Sequence, residues 1–372
     1  MRAHELLQAP PQGADIVVSA PGRANLIGDW TDVNEGFVLP VGLELRTVLA
    51  GRRSPDRLML RSQELPEDGV VEVDLRTGSG PRAGWGRYAT AVVAALLEAG
   101  LAIQGFEGVV ASDVPIGSGL SSSAALEVAV ALALVAEPVD LLTLAKLCQR
   151  AENHGVGVQS GIMDQLSSAA SRAGHALFLD CRDLSSEHIP FPSDLAVLVV
   201  DCAVSRSLSA VAYNERRQQC AEAARVLGVA SLRDATEQTL AQGRTELGDR
   251  LHRRARHVVT ENARVIAAAH ALRKGDLPEL GRLFAASHDS LARDFEVSVP
   301  ELDLLVGAAT TTPGVHASRL TGAGFGGCTV SLVNADGAEL VRDEVLARYA
   351  AASGLVPRGW ISAAAEGASI ST

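Results

Sequence analysis

The sequence predicts an α/β (α+β) protein built from two domains. Short β-branched segments punctuated by Gly, Pro and Asp alternate with helical patterns through the first half. The second half is dominated by helical periodicity, with one clear strand among the helices. The 372 residues exceed one ordinary domain. Hydrophobic residues make up 47% and aromatic residues 3%, so the core is built from Ala, Val and Leu rather than from large rings.

The elements follow in order. DIVVSA (15–20), LRTVLAG (45–51), LMLRS (58–62) and GVVEVDL (69–75) read as strands joined by turns. WGRYATAVVAALLEAG (85–100) has apolar residues at helical spacing and a terminal Gly suited to a C-cap. GFEGVVASD (105–113) is a strand, and SAALEVAVALALVAE (123–137) is a helix apolar nearly all round, hence buried. VDLLTLAKLCQRAENH (139–154) is a helix with Asp140 as N-cap. Residues 214–228, 257–275, 277–291 and 336–354 predict four further helices, and CTVSLV (328–333) a strand. The proline-bearing HIPFPSD (188–194) marks the expected boundary between domains 1–190 and 191–372.

Composition narrows the function. A net charge of −11 disfavours nucleic acid and anionic membrane surfaces, because both need clustered Lys and Arg. No run reaches about eighteen uncharged apolar residues, and the N-terminus has no long apolar segment. Five widely spaced cysteines without a Cys-x-x-Cys pair fit a reducing compartment rather than a disulfide frame or zinc site. The expectation is a cytoplasmic monomer acting on small molecules.

Three stretches carry chemistry. In DVPIGSGLSSSAALE (113–127), Gly117, Ser118, Gly119, Leu120, Ser121, Ser122 and Ser123 lie between a strand and a helix. Backbone N–H groups, hydroxyls and the helix dipole converge there on an anion, although the Walker A pattern and its lysine are absent. The alternative is a plain Gly/Ser turn before a buried helix. RLTGAGFGGCTV (319–330) is a second glycine-rich loop, open to close approach by a ligand or by another strand. In AENHGVGVQSGIMDQL (151–166), Glu152 and Asp164 lie in a polar segment, Asp164 near Gly161, as suits a metal ligand and a base. Spacing alone does not assign those two roles.

GRANLIG..TD.N.GFVLP (22–40), VPIGSGLSSSAALE, GIMDQ, YNERRQQC and SRLTGAGFGGC occur in this order and resemble the galactokinases, within the group that includes homoserine, mevalonate and phosphomevalonate kinases. The resemblance implies a kinase of two α/β domains with the active site in the cleft between them, using ATP and Mg²⁺. It makes Asp164 the general base near the anomeric hydroxyl, with Arg23 neutralising charge on the transferring phosphoryl group. Ser123 and Glu152 match Mg²⁺ ligands, and the 117–123 loop covers the nucleotide. Asp29, Trp30, Thr31, Asp32, Gly161 and Tyr213 fall at the sugar.

One departure bears on the substrate. Galactokinases read Glu-His-x-Asp-Tyr-Asn where this chain has Asp29, Trp30, Thr31, Asp32, Val33 and Asn34. The resemblance places the Glu-His pair at the sugar C6 hydroxyl, so the pocket there is expected to be smaller and less polar. The expected reaction is phosphorylation of D-galactose at C1. The alternatives are a kinase for a sugar lacking the C6 hydroxyl (L-arabinose or 6-deoxygalactose) and a non-catalytic sugar sensor. The intact Ser121–Ser122–Ser123–Ala124–Ala125 run with Arg23 and Asp164 disfavours the sensor. The long 22–40 motif disfavours a mevalonate- or homoserine-type kinase.

Overall fold

The computed structural model describes residue 7, residues 13–204 and residues 209–371. The chain begins with strand β1 (Ile16–Asn25), the two-residue β2 (Phe37–Val38), long β3 (Pro40–Ser54), β4 (Arg57–Ser62) and β5 (Val70–Asp74). Helix α1 (Gly86–Glu98), β6 (Gly105–Ser112), α2 (Ser122–Leu134), α3 (Leu141–Arg150) and α4 (Met163–Ala170) follow. Then come β7 (His175–Asp180), β8 (Ser186–Pro190) and β9 (Leu195–Asp201). The remainder is α5 (Ser209–Leu227), α6 (Glu237–Gln242), α7 (Arg244–Lys274, broken at Gly248), α8 (Leu277–Ser290), α9 (Pro300–Thr310), β10 (Val315–Leu320), β11 (Cys328–Asn334), α10 (Ala338–Ser353), β12 (Arg358–Ser362) and β13 (Ser369–Ser371).

The strands form three sheets, ordered β13-β1-β3-β6-β4-β5, β10-β11-β9-β12 and β2-β7-β8. The mixed α/β architecture matches expectation, and Asp140 caps α3 by accepting from the Thr143 N–H at 2.9 Å. The second half departs from its helical reading, since it holds a four-stranded antiparallel sheet of which only β11 was expected. One of its two interior strands, β9 (LAVLVVD), is buried at every position, so it shows no alternation of apolar and polar residues. The 188–194 segment ends β8 and turns into this strand. The chain end also returns to the first sheet, where β13 pairs antiparallel with β1.

Helix α2 is as buried as its sequence demands, packing on β1 and β3 and against three other helices. Strand β1 and the two residues after it serve two cores. Val18 and Ala20 pack with the α1 and α2 side chains, whereas Ala24, Leu26 and Ile27 join a cluster with Val199, Val265 and Phe284. Between these stretches the β1–β3 register shifts at Pro21–Arg23. Such a bulge bends a strand and re-aims its side chains. Gly22 is required there, because a Cβ would lie 2.7 Å from the Leu120 carbonyl oxygen. The Arg23 N–H donates to that same carbonyl at 3.1 Å, so the bulge brings Arg23 to the Gly/Ser loop.

Candidate active site

A cleft of about 1420 Å³ is lined by β1, the loop after it, the 117–123 loop, residues 152–164 and Gly322, Ala323 and Gly327 of the 319–330 loop. Arg23, itself buried, donates from Nε to Asp164 Oδ1 at 2.8 Å, with Nη2 2.6 Å from the same oxygen. Its Nη1 donates to the Gly119 carbonyl at 2.7 Å. The other Asp164 oxygen accepts from Ser121 Oγ at 2.6 Å. Asp164 sits in the first turn of α4, and its side chain keeps 25% exposure toward the cleft. A partly exposed carboxylate held at both oxygens can accept a proton from a hydroxyl in the cleft without moving far.

From Gly117 to Ser121 the backbone alternates in the sign of φ, with positive values at Gly117 (74°), Gly119 (88°) and Ser121 (61°). Alternation of this kind turns successive N–H groups toward one point and makes an anion-binding nest. The nest leads directly into α2, whose N-cap residue Ser121 makes no capping bond because its hydroxyl is spent on Asp164. The first N–H groups of α2 and their partial positive charge therefore remain for a ligand. Leu120 departs from the expected pattern. Its side chain is buried in the core, and only its carbonyl serves the site.

Residues 139–154 do not form one helix. After α3 the chain widens into a π-helical turn, Ala151–Val156, which carries Glu152. Glu152 accepts from Ser123 Oγ at 3.0 Å and from Gln165 Nε2 at 3.0 Å, and also from Ser160 Oγ. Burial raises its pKa above the ordinary carboxylate range.

The 28–37 loop is only partly as expected. The Asp32 carboxylate lines the cleft, and burial, reinforced by the nearby Asp164 charge, pushes its pKa up to about 7. Gly161 leaves room for it, since a Cβ there would collide with the carboxylate. Trp30, at φ 71°, is buried between Tyr213 (4.5 Å between ring centroids) and Phe295 (5.0 Å), and both Trp30 and Tyr213 reach the cleft. Thr31 does not face the cleft. It is fully buried and its hydroxyl donates to the Gly28 and Phe37 carbonyls at 2.7 and 2.6 Å, which makes it a structural pin of the loop.

Asp29 reaches the cleft wall but is already committed. Its Oδ2 lies 2.6 Å from Nη1 of the fully buried Arg319, and its Oδ1 accepts from the Gly322 N–H at 2.9 Å. Burial raises its pKa, with Arg319 opposing. The second glycine-rich loop thus acts chiefly by close packing. A Cβ at Gly326 would lie 2.7 Å from the Val204 carbonyl, and one at Gly324 would strike the Val297 carbonyl. No local pattern marks Arg319 as the partner of Asp29, Gln165 and Ser160 as partners of Glu152, or Trp85 and Tyr88 as lining of the cleft. Arg319 lies far in sequence from Asp29, Trp85 and Tyr88 read as ordinary helix, and Ser160 and Gln165, near Glu152 in the chain, meet it through the turn that leads into α4.

Three family profiles match the chain: "Galactokinase galactose-binding signature" over residues 7–53, "GHMP kinases N terminal domain" over 87–172 and "GHMP kinases C terminal" over 268–351. The chain is 45% identical to a galactokinase of Roseiflexus sp. over 95% of its length and 92% of that protein, and 43% identical to the galactokinase of Homo sapiens over 96% and 92%. The chain belongs to the galactokinase family. Among solved structures, the Lactococcus lactis galactokinase complexed with galactose aligns over 98% of this chain and 97% of its own, with a TM-score of 0.89 and 33% identity. The mevalonate kinase of Methanococcus jannaschii, at 17% identity and a TM-score of 0.67, shares the fold. As a galactokinase-family protein the chain is a sugar kinase with the two-domain GHMP kinase fold, using ATP as phosphoryl donor.

An ATP-using kinase of the galactokinase family calls for a divalent cation, and the donor set fits one. Glu152 and Ser123 offer one carboxylate and one hydroxyl, all hard oxygen, beside the phosphate nest. Among the described residues no group of three or more His, Cys, Asp or Glu could hold a metal by itself.

Proposed function

We infer that the chain transfers the terminal phosphoryl group of ATP to the anomeric C1 hydroxyl of D-galactose, giving galactose 1-phosphate and ADP. The observation that carries this reading is Asp164, clamped by Arg23 and Ser121 at the mouth of the 117–121 nest. The sugar O1–H gives its proton to Asp164 as O1 attacks the γ-phosphorus. The bond to the β–γ bridging oxygen breaks, and its electron pair leaves with ADP. Arg23 offsets the charge that develops on the transferring group, which it can do without rearrangement because Asp164 and the Gly119 carbonyl already hold it.

Gly117, Ser118, Gly119, Ser121, Ser122 and Ser123 cradle the phosphates, and Trp85 with Tyr88 offers aromatic surface for the base. Mg²⁺ would be held by Ser123 and Glu152, where it would supply positive charge to offset that of the phosphates. Asp32, Gly161, Tyr213 and Trp30 bound the sugar. The test is incubation with ATP, Mg²⁺ and galactose, followed by phosphorus NMR. A sugar 1-phosphate formed in equal amount with ADP is expected. Phosphate at another carbon, or ADP release independent of sugar, would overturn the assignment.

A second reading concerns the sugar. Asp29 is tied to Arg319 and Gly322, and Trp30 presents an aromatic wall. These two features favour tolerance of sugars without a C6 hydroxyl.

A further inference from the structure

Behind the cleft, a second carboxyl group stands in line with Glu152. Glu127 is four residues after Ser123 on α2, so both point from the same face of that helix. Glu127 is fully buried, as is Gln165 of α4. The single amide nitrogen of Gln165 donates to Glu127 Oε2 at 3.0 Å and to Glu152 Oε2 at 3.0 Å. Both hydrogens of that nitrogen are thereby used. Among the described residues Glu127 Oε1 and Gln165 Oε1 have no hydrogen-bond partner, so the bridge through Nε2 is what these two side chains do with their polarity. A buried polar group that serves no purpose costs stability, and a carboxyl in an otherwise apolar helix is an expensive way to fill space. Val128, Ala129, Val130 and Ala131 show what that helix otherwise uses.

We propose that Glu127 is a positioning residue: through Gln165 it fixes the Oε2 edge of Glu152, leaving the Oε1 edge turned to Ser123 and to a nucleotide-bound divalent cation. This rests on the reading of Glu152 as the cation ligand. Without Glu127, the Gln165 amide is free to rotate, and the Oε2 edge of Glu152 keeps Ser160 as a partner but loses the buried amide that holds it from the side of α4. Partners behind a metal ligand commonly contribute about 10–100-fold in metal affinity. Glu127 touches neither sugar nor nucleotide, so its effect falls on the cation requirement and not on the KM for sugar.

The test compares Glu127→Ala, Glu127→Gln, Gln165→Met and Glu152→Gln. Two readouts are used: the half-saturating Mg²⁺ concentration for turnover at fixed ATP, and Mn²⁺ binding to the protein with a non-hydrolysable ATP analogue, followed by electron paramagnetic resonance. Glu127→Ala and Gln165→Met should each raise the half-saturating concentration and weaken Mn²⁺ binding about tenfold, with the KM for sugar unchanged. Glu127→Gln keeps an acceptor for Gln165 and should return both to within about threefold of the parent. Gln165→Met removes the bridge without removing Glu127, so a folding defect in Glu127→Ala does not hide the answer. If Glu152→Gln shifts the cation dependence while Glu127→Ala and Gln165→Met do not, the positioning role is wrong and the ligand reading stands. If Glu152→Gln shifts nothing, the ligand reading falls and the positioning role falls with it.

Discussion

Arg23 grips Asp164 at a single carboxylate oxygen, with Nε at 2.8 Å and Nη2 at 2.6 Å, while its remaining nitrogen holds the Gly119 carbonyl. One guanidinium thus ties the proposed base to the phosphate loop. In the proposed reaction this tie would hold the base and the phosphate loop at a fixed separation before either substrate binds, and such prepositioning supplies much of the rate in phosphoryl transfer.

Asp164→Asn keeps the volume and removes the proton acceptor. Turnover should fall by on the order of a hundredfold or more, while ATP affinity changes little. Steady-state kinetics alongside calorimetric titration of an ATP analogue checks both. Turnover within a few-fold of the parent would remove Asp164 from the role of base.

Arg23→Lys keeps a charge but cannot span Asp164 and Gly119 together, because an ammonium lacks the planar fork. The expected result is a drop in kcat of about tenfold or more, with ATP affinity less affected. Near-normal kcat would make Arg23 a generic charge.

Asp32 gives the ligand-free protein a pH-dependent stability. Its pKa of about 7 in the folded chain lies above the unfolded value of about 3.9, so between roughly pH 4 and 7 the native state binds the proton more tightly. Stability contributed by this group is therefore full below about pH 4 and is lost as pH rises to about 7. Asp32→Asn removes that penalty and should be more stable than the parent by on the order of 1–3 kcal/mol at pH 8, with the gain shrinking by pH 5. Denaturant melts at the two pH values decide it, and an equal effect at both would mean that the carboxyl is not protonated in the native cleft. The same variant should bind sugar more weakly.

The committed Asp29 predicts substrate tolerance. A site that hydrogen-bonds a hydroxyl rejects the analogue lacking it by about 10⁴–10⁵, whereas an apolar wall discriminates by about 10–200-fold. The ratio of kcat/KM for galactose over L-arabinose or 6-deoxygalactose should fall in the second range. Asp29→Glu combined with Trp30→His should raise it. A parental ratio near 10⁴, unmoved by the double change, would show that another residue reads C6.

Several features were legible from local sequence alone. The identity of β1, β3 to β6 and α1 to α3, the Asp140 cap and the glycines of the 117–121 nest all depend on neighbours within a few residues, through backbone sterics and side-chain periodicity, whereas β2, α4, β7 and β8 were not read from the sequence. The ordered motifs fixed the family, because they preserve residue types at many separated positions at once. Tertiary structure alone decided the rest. Strand β9 is buried on both faces, and an apolar run without alternation does not announce its secondary structure. Thr31 and Asp32 are adjacent and both polar, yet the loop turns one hydroxyl into the carbonyls of Gly28 and Phe37 and one carboxylate into the cleft. Asp29 meets Arg319 across 290 positions of chain, and Glu152 meets Glu127 only through Gln165. A buried charge is stable only where a partner compensates it, and which side chain supplies that partner depends on how distant segments pack, which no local pattern records.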